Sequence, residues 1–510
     1  MAEQRRGPAP VPAAATAQAL SATGPTGSAG HGPAAELSHR EILTVMAGLL
    51  SALGTAMLAA TVVANALPAI AVDLGASATE TTLIFIASLF MMTVTTPIWG
   101  KLSDQLDKKT MMQVALIVLV AASIANGLAV STWMLICCRM IQGVGMGGVT
   151  VLTQTILATV IPPRTRGRYN GYYGAVTSTA TVSGPLLGGL IVDAPGMGWR
   201  WVFFLCVPFA VVSLVMLQKF LRLDHRPTPV KFDYLGALAI TATVSLLMVW
   251  LTFGGAAFAW WSAPSAAIGA SIALLIPLAV RTQLRARQPL VPLHMATDRT
   301  VVLAVAASMV IGMAVFGASV FLAQYFQFAR GLSASAAGIL VAPMMLGSLA
   351  GSVVSGQLIT RYGRWKRFLV TGGVLLVTGL SAVALAGAGA PLWAVCLAEA
   401  AIGLGMGMSI QNLVLVAQNT VDLPQVGTVG ALVTFMRNLG GTIGVTGLGA
   451  VLAASLGGKD PADVDPARYA TALSTTFLVA AGIAVVSLTA VLALRETPLR
   501  TTVAKTDDGH

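Results

Sequence analysis

The chain has 510 residues, 56% of them hydrophobic and only 10% charged, with a mean hydropathy of +0.82. A soluble chain of this length needs about a quarter of its residues charged to cover its surface, so a soluble globular protein is excluded. The formal charge of +11 reads as topology signals and contacts to anionic lipid rather than nucleic-acid binding, because no basic cluster carries interleaved aromatics for base stacking.

Residues 1–38 are rich in Ala, Pro and Gly and lack hydrophobic periodicity, which predicts a disordered cytoplasmic tail. Fourteen apolar stretches follow between Arg40 and Arg495. The first, 42–72, is uncharged throughout and longer than the roughly 20 residues a hydrocarbon core requires. Further spans are predicted near 83–100, 111–130, 132–160, 168–192 and 199–220. The uncharged stretch 234–280 is interrupted by Gly254-Gly255 and by Trp260-Trp261-Ser262-Ala263-Pro264, giving two spans joined by an outer turn with interfacial tryptophans. Six more fall near 300–323, 333–360, 368–389, 391–416, 426–456 and 471–494. The expected organisation is a six-helix bundle at 39–222, an inserted helix pair at 223–298, a second six-helix bundle at 299–495, and a cytoplasmic tail at 496–510.

Charge sets the orientation. With both termini placed inside, only Arg200, Arg330, Lys459 and Arg468 of the 30 Lys and Arg fall in outside loops, and Arg139 and Arg437 fall within spans. Such a bias is the insertion signal of a multi-pass protein of the inner (cytoplasmic) membrane. All five histidines lie outside the spans, and Cys137, Cys138, Cys206 and Cys396 lie within them, so buried thiols are expected rather than disulfides or a metal site. No nucleotide-binding loop, metal-ligand cluster or nucleophile triad is present, which argues against an enzyme and against a cofactor.

An internal repeat runs at an offset close to 260 residues. Gly100-x-x-x-Asp104 with Lys108-Lys109 follows span 2, and Gly356-Gln357-Leu358-Ile359-Thr360-Arg361 follows span 10. Arg139-x-x-x-Gly143-x-Gly145-x-Gly147 on span 4 aligns with Glu399-x-x-x-Gly403-x-Gly405-x-Gly407 on span 12. Two six-span repeats around an inserted pair place both echoes equivalently, and transporters commonly put their sites at such a repeat interface. Together with Arg139-x-x-Gln142-Gly143, Ser183-Gly184-Pro185-Leu186-Leu187-Gly188-Gly189, Trp199-Arg200-Trp201, Phe232-Asp233-Tyr234-Leu235-Gly236, Tyr325-Phe326-Gln327 and Arg437-x-x-Gly440-Gly441, the chain resembles the major facilitator superfamily over about 42–495. The resemblance is to its fourteen-span drug:proton antiporter branch.

That resemblance implies an all-α membrane protein that exports amphiphilic drugs or antibiotics by alternating access, driven by protons, as a monomer without a cofactor. A dedicated exporter of one metabolite or lipid, or a non-transporting receptor or scaffold on the same fold, remains open. It also implies a conformational gate at Gly100, Asp104, Lys108 and Lys109, with Asp104 holding helices of the two halves together in one state. Gly184, Pro185, Gly188 and Gly189 form the implied antiporter motif; small residues there also suit close helix packing. Asn65, Gln142, Tyr325, Gln327 and Gln411 are expected at the substrate cavity, although Tyr325 and Gln327 are equally compatible with an interfacial position.

Intramembrane charges are costly and tend to be functional. Glu399 and Arg139 occupy equivalent repeat positions and are expected to face one another across the central cavity or a shared water pocket, coupling protons. A carboxylate removed from water titrates nearer neutrality than an exposed one, as proton exchange needs. Arg437 is expected to be a structural partner. Where the family often has an acid in span 1, this chain reads Leu58-Ala59-Ala60-Thr61, so the site falls on Ala59 and Glu80 is the weak substitute.

Overall fold

The computed structural model describes residues 39–221, 234–254, 258–286, 298–332, 334–387, 389–457 and 464–500. Residues 1–38, residues 222–233 with Phe232 and Asp233, and residues 501–510 lie outside the described residues. Leu43–His510 folds as one unit, and Met1–Ile42 forms another, of which only the start of the first helix is described.

The described residues are helical throughout apart from short links. In chain order the helices are α1 (His39–Thr61), α2 (Leu67–Leu74), α3 (Ala78–Gln105), α4 (Lys108–Gly127), α5 (Thr132–Val160) and α6 (Pro163–Asp193). They continue with α7 (Arg200–Phe204), α8 (Cys206–Phe220), α9 (Tyr234–Phe253), α10 (Ala263–Arg285), α11 (Arg299–Gln324) and α12 (Ala334–Leu340). The last are α13 (Ala342–Tyr362), α14 (Lys366–Ala386), α15 (Leu392–Thr420), α16 (Val426–Leu456) and α17 (Pro466–Ala493).

Their starts follow from side chains that accept from the orphan first-turn N–H groups, each contributing about 1 kcal/mol. Asp107 starts α4, Ser131 starts α5, Asp298 starts α11 and Asp465 starts α17. Ser77 and Glu80 form a reciprocal capping box on α3. Gly363 ends α13 at φ 70°, a conformation glycine adopts without Cβ strain.

Twelve of the described stretches are long and apolar enough to cross a membrane, so the chain is a multi-pass membrane protein. Two of the fourteen predicted spans fall short of that measure. Helix α9 has an apolar run of only Leu235–Leu251. Helix α6 is 31 residues long but rich in Gly, Ser, Thr and Tyr, because it packs against other helices more than it faces lipid.

The repeat is visible in how helices touch. A methyl at Gly143 or Gly147 of α5 would overlap the Ser88 or Met92 carbonyl of α3; at Gly403 or Gly407 of α15 it would overlap the Met344 or Ser348 carbonyl of α13. Gly145 meets α4 at Ala115 and Leu119, and its mate Gly405 meets α14 at Gly372 and Leu376. Small residues let these backbones approach, which is the main source of helix association without a hydrophobic drive. Helices α9 and α10 stand apart from this scheme. They pair with each other, and α9 reaches α3 and α16 through Val244 and Met248, which pack with Val94, Phe435 and Leu439.

The cysteines depart from expectation. All four are free thiols, but only Cys206 is buried, and Cys137 is exposed on the surface of α5.

Candidate functional site

The two repeats touch along two helix pairs, both of which reach the end of the molecule bearing the basic loops after α3 and α13. One contact joins α3 to α16, the other α6 to α13. In the first, Gly100 lies against Gly427 and Ala431 so tightly that a methyl would overlap Ala431. Asp104 then accepts hydrogen bonds from the Gly427 N–H (2.9 Å), the Thr428 N–H (2.7 Å) and the Thr428 hydroxyl (2.6 Å). These N–H groups belong to the first turn of α16, where orphan donors and the helix dipole both favour an anion. Lys108 stands near Asp104 as an electrostatic neighbour, whereas Lys109 donates to the Gln218 carbonyl at the end of α8 (2.8 Å). The motif residues Gly100, Asp104 and Lys108 are therefore gathered at one contact, and Lys109 is turned to another.

The second contact mirrors the first with different chemistry. Gly356, the mate of Gly100, lies against Gly167 and Gly171 of α6. Thr360, the mate of Asp104, accepts from the Arg168 N–H (2.9 Å). Arg166 is buried; it donates to the carbonyls of Ala158 and Ile161 and across to Gln418 Oε1 of α15 (3.2 Å). The segment after α17 crosses the same end. Trp365 Nε1 donates to the Thr497 carbonyl, Asn419 Nδ2 to the Pro498 carbonyl, and the Arg164 N–H in the first turn of α6 to the Arg500 carbonyl (3.0 Å).

Arg139 is fully buried inside the first repeat. Its Nε donates to the Ile84 carbonyl (3.2 Å), and its Nη1 to the Ala59 carbonyl (3.1 Å) and Gln142 Oε1 (2.7 Å). Gln142 in turn donates to Ser123 (2.9 Å), and Phe203 lies 6.0 Å beneath the guanidinium. Nη2 has no partner among the described residues. Ala59 thus meets Arg139 through its backbone.

Glu399 is equally buried inside the second repeat, and neither carboxylate oxygen has a hydrogen-bond partner among the described residues. Arg139 and Glu399 make no direct hydrogen bond: all of Arg139's hydrogen bonds stay within α1, α3 and α5. Repeat equivalence gave the two residues matching positions in their spans, but Arg139 is held within its own bundle.

Glu80 is committed to the start of α3, where its carboxylate accepts from the Ser77 N–H (2.9 Å) and hydroxyl (2.8 Å). Those bonds hold its pKa below the ordinary glutamate value. Gly184 and Gly188 press on Thr61 and Val62, where α1 breaks before α2, and Gly189 lies beside exposed Asn65. The side chain of Pro185 lies outside the described residues. Tyr325 is buried at the opposite end from the basic loops, its hydroxyl donating to the Gly387 carbonyl (2.7 Å) and accepting from Arg330 Nε (2.9 Å). It begins a π-helical turn that contains half-buried Gln327. Of the residues expected at the cavity, only Gln411 reaches the contact between repeats, accepting from Gln154 Nε2 (3.4 Å).

Paired helical repeats that meet around a common centre are the architecture of a secondary transporter. The family model described as Major Facilitator Superfamily matches residues 49–445, and the chain belongs to that superfamily. It is 31% identical over 503 residues to an uncharacterised MFS-type transporter of Mycobacterium tuberculosis, covering 94% of this chain and 72% of the relative. It is 30% identical over 415 residues to the multidrug transporter protein MdtP of Bacillus subtilis, covering 81% and 76%. Among solved structures, the proton:xylose symporter XylE superposes with a TM-score of 0.63 at 14% identity, over 91% of this chain and 98% of that one; this likeness is one of fold.

Proposed function

We propose that this protein exports amphiphilic small molecules across the cytoplasmic membrane by alternating access, in exchange for protons, with fourteen spans and both termini inside. The carrying observation is the closure of the basic end by Asp104 on the first turn of α16, across 323 residues of sequence to Gly427 and 324 to Thr428. A side chain of one repeat that caps a helix of the other is a contact that one state can keep and the other release. The names of relatives such as MdtP support drugs as the cargo. Helices α6 and α9 complete the fourteen spans, since the predicted sidedness of the basic loops requires both.

Glu399 is the proposed proton carrier. It is the one carboxylate among the described residues that is fully buried and without a partner, whereas Glu80 is engaged as a helix cap. An ionised carboxylate buried without a partner is expensive, so a proton arriving or leaving there alters the relative energies of conformations that differ in water access. Gly184 and Gly188 seal α6 onto the break in α1. The test is dye transport into inside-out vesicles. Uptake that starts with an imposed proton gradient and stops on adding a protonophore supports the proposal. Uptake indifferent to the gradient overturns it.

A further inference from the structure

The centre of the molecule, where α5, α6, α15 and α16 meet, holds a polar layer built by both repeats. Gln154 of α5 donates to Gln411 of α15 and accepts from the Thr434 hydroxyl of α16 (3.2 Å). Tyr173 of α6 lies beside Gln154 and beside the guanidinium of Arg437 on α16. All five side chains are more than nine-tenths buried, Arg437 being 9% exposed. Arg437 lies about 16 Å along α16 from its basic end at 1.5 Å per residue, close to the midplane of a hydrocarbon core about 30 Å thick.

Arg437 differs from Arg139, Arg166 and Asp104. Arg166 donates to carbonyls, Asp104 is saturated by a helix terminus, and Arg139, although its Nη2 has no partner among the described residues, still donates three hydrogen bonds within its own bundle. By contrast, Arg437 Nη1 has no acceptor among the described residues, and its one recorded electrostatic neighbour is the neutral phenol of Tyr173. Arginine stays charged in proteins, so the layer carries a permanent positive charge without a counter-charge among the described residues. Such a site is strained when empty and is relieved by an anion, and the planar guanidinium suits a two-oxygen partner.

We propose that Arg437 is the anion-recognising residue of the transport site, so that the preferred substrates are amphiphiles carrying a carboxylate or similar acidic group rather than cationic drugs. Tyr173 and Gln411, one from each repeat, provide the neighbouring neutral hydrogen-bonding groups. The carboxylate occupies the place of the missing counter-charge, and the apolar body lies along the apolar faces of the surrounding helices. This inference rests on the exporter reading above and names its substrate class.

The experiment uses two xanthene dyes of similar shape, anionic fluorescein and cationic rhodamine 6G. Binding to the purified protein in lipid nanodiscs is read by anisotropy, and flux is read in inside-out vesicles. Fluorescein is expected to bind saturably and more tightly than rhodamine 6G. Arg437→Gln is expected to weaken it tenfold or more, Arg437→Lys to recover part of the loss, and Tyr173→Phe to weaken it several-fold. Absent or tighter rhodamine-only binding, or fluorescein binding unchanged in both Arg437→Gln and Tyr173→Phe, overturns the inference. If both dyes move but fluorescein flux ignores Arg437, the inference falls while the export reading survives. If fluorescein binds through Arg437 but neither dye is driven by the gradient, the export reading falls and the anion site stands.

Discussion

At the α3–α16 contact a carboxylate closes the mouth of a helix; at the α6–α13 contact the same geometry is closed by neutral groups. Asp104 takes two N–H donors in the first turn of α16. Its repeat mate Thr360 takes only the Arg168 N–H, at the sixth residue of α6. The first turn of α6 is met instead by the Arg500 carbonyl from the segment after α17. A charged acceptor at a helix terminus is worth roughly 1.5–3 kcal/mol, a neutral hydrogen bond about 1. Similar backbones with unequal acceptors teach that closure of the basic end is held asymmetrically. The α3–α16 side is the strong clasp and the α6–α13 side the weak one.

The largest effect should come from breaking the strong clasp. Asp104→Ala removes three acceptor contacts and leaves two helix-terminal donors beside an apolar methyl. A loss of about 3 kcal/mol, on the order of a hundredfold in the closed-to-open ratio, is expected. Spin labels at Leu106 and Tyr362, read by double electron–electron resonance in a cysteine-free background, should show the distance distribution move outward. An unchanged distribution would remove Asp104 from the gate. Deleting residues 497–510 strips the neutral acceptors from Trp365, Asn419 and Arg164, and a shift of several-fold in the same direction is expected, near 1 kcal/mol. Thr360→Val, which keeps the shape but removes one acceptor, should shift the ratio two- to fivefold, for about 0.5–1 kcal/mol. A Thr360→Val effect equal to that of Asp104→Ala would mean that the two clasps are energetically alike and that charge contributes little.

The repeat was readable in sequence because its glycines are required by contact. Gly143 and Gly403 admit no Cβ against a facing carbonyl, so their spacing survives where other residues vary. The spans were readable where a helix faces lipid and less so in α6, whose small polar residues serve packing with α13 and α1. The partners of the charges were not readable. Position in a span fixes the depth of Arg139, Glu399 and Arg437, but not which helix stands opposite. Arg139 was expected to face Glu399 across the cavity or a shared water pocket and instead makes its hydrogen bonds within its own bundle, while Arg437, expected to be structural, reaches the centre beside Tyr173. Nothing in Gly427-Thr428 announces an acceptor more than three hundred residues away, since any helix start offers the same N–H groups. A polar layer at the centre was foreshadowed only by Gln411; Gln154 and Tyr173 lie in runs that resemble ordinary packing surfaces.

The proposed coupling of transport to protons through a buried carboxylate of the second repeat is tested most directly by Glu399→Gln in reconstituted vesicles, with gradient-driven uptake and gradient-free substrate exchange measured on the same preparation. Exchange and binding are expected to persist while uptake against a concentration gradient falls to background. Normal uptake against the gradient in Glu399→Gln would contradict the proposed coupling.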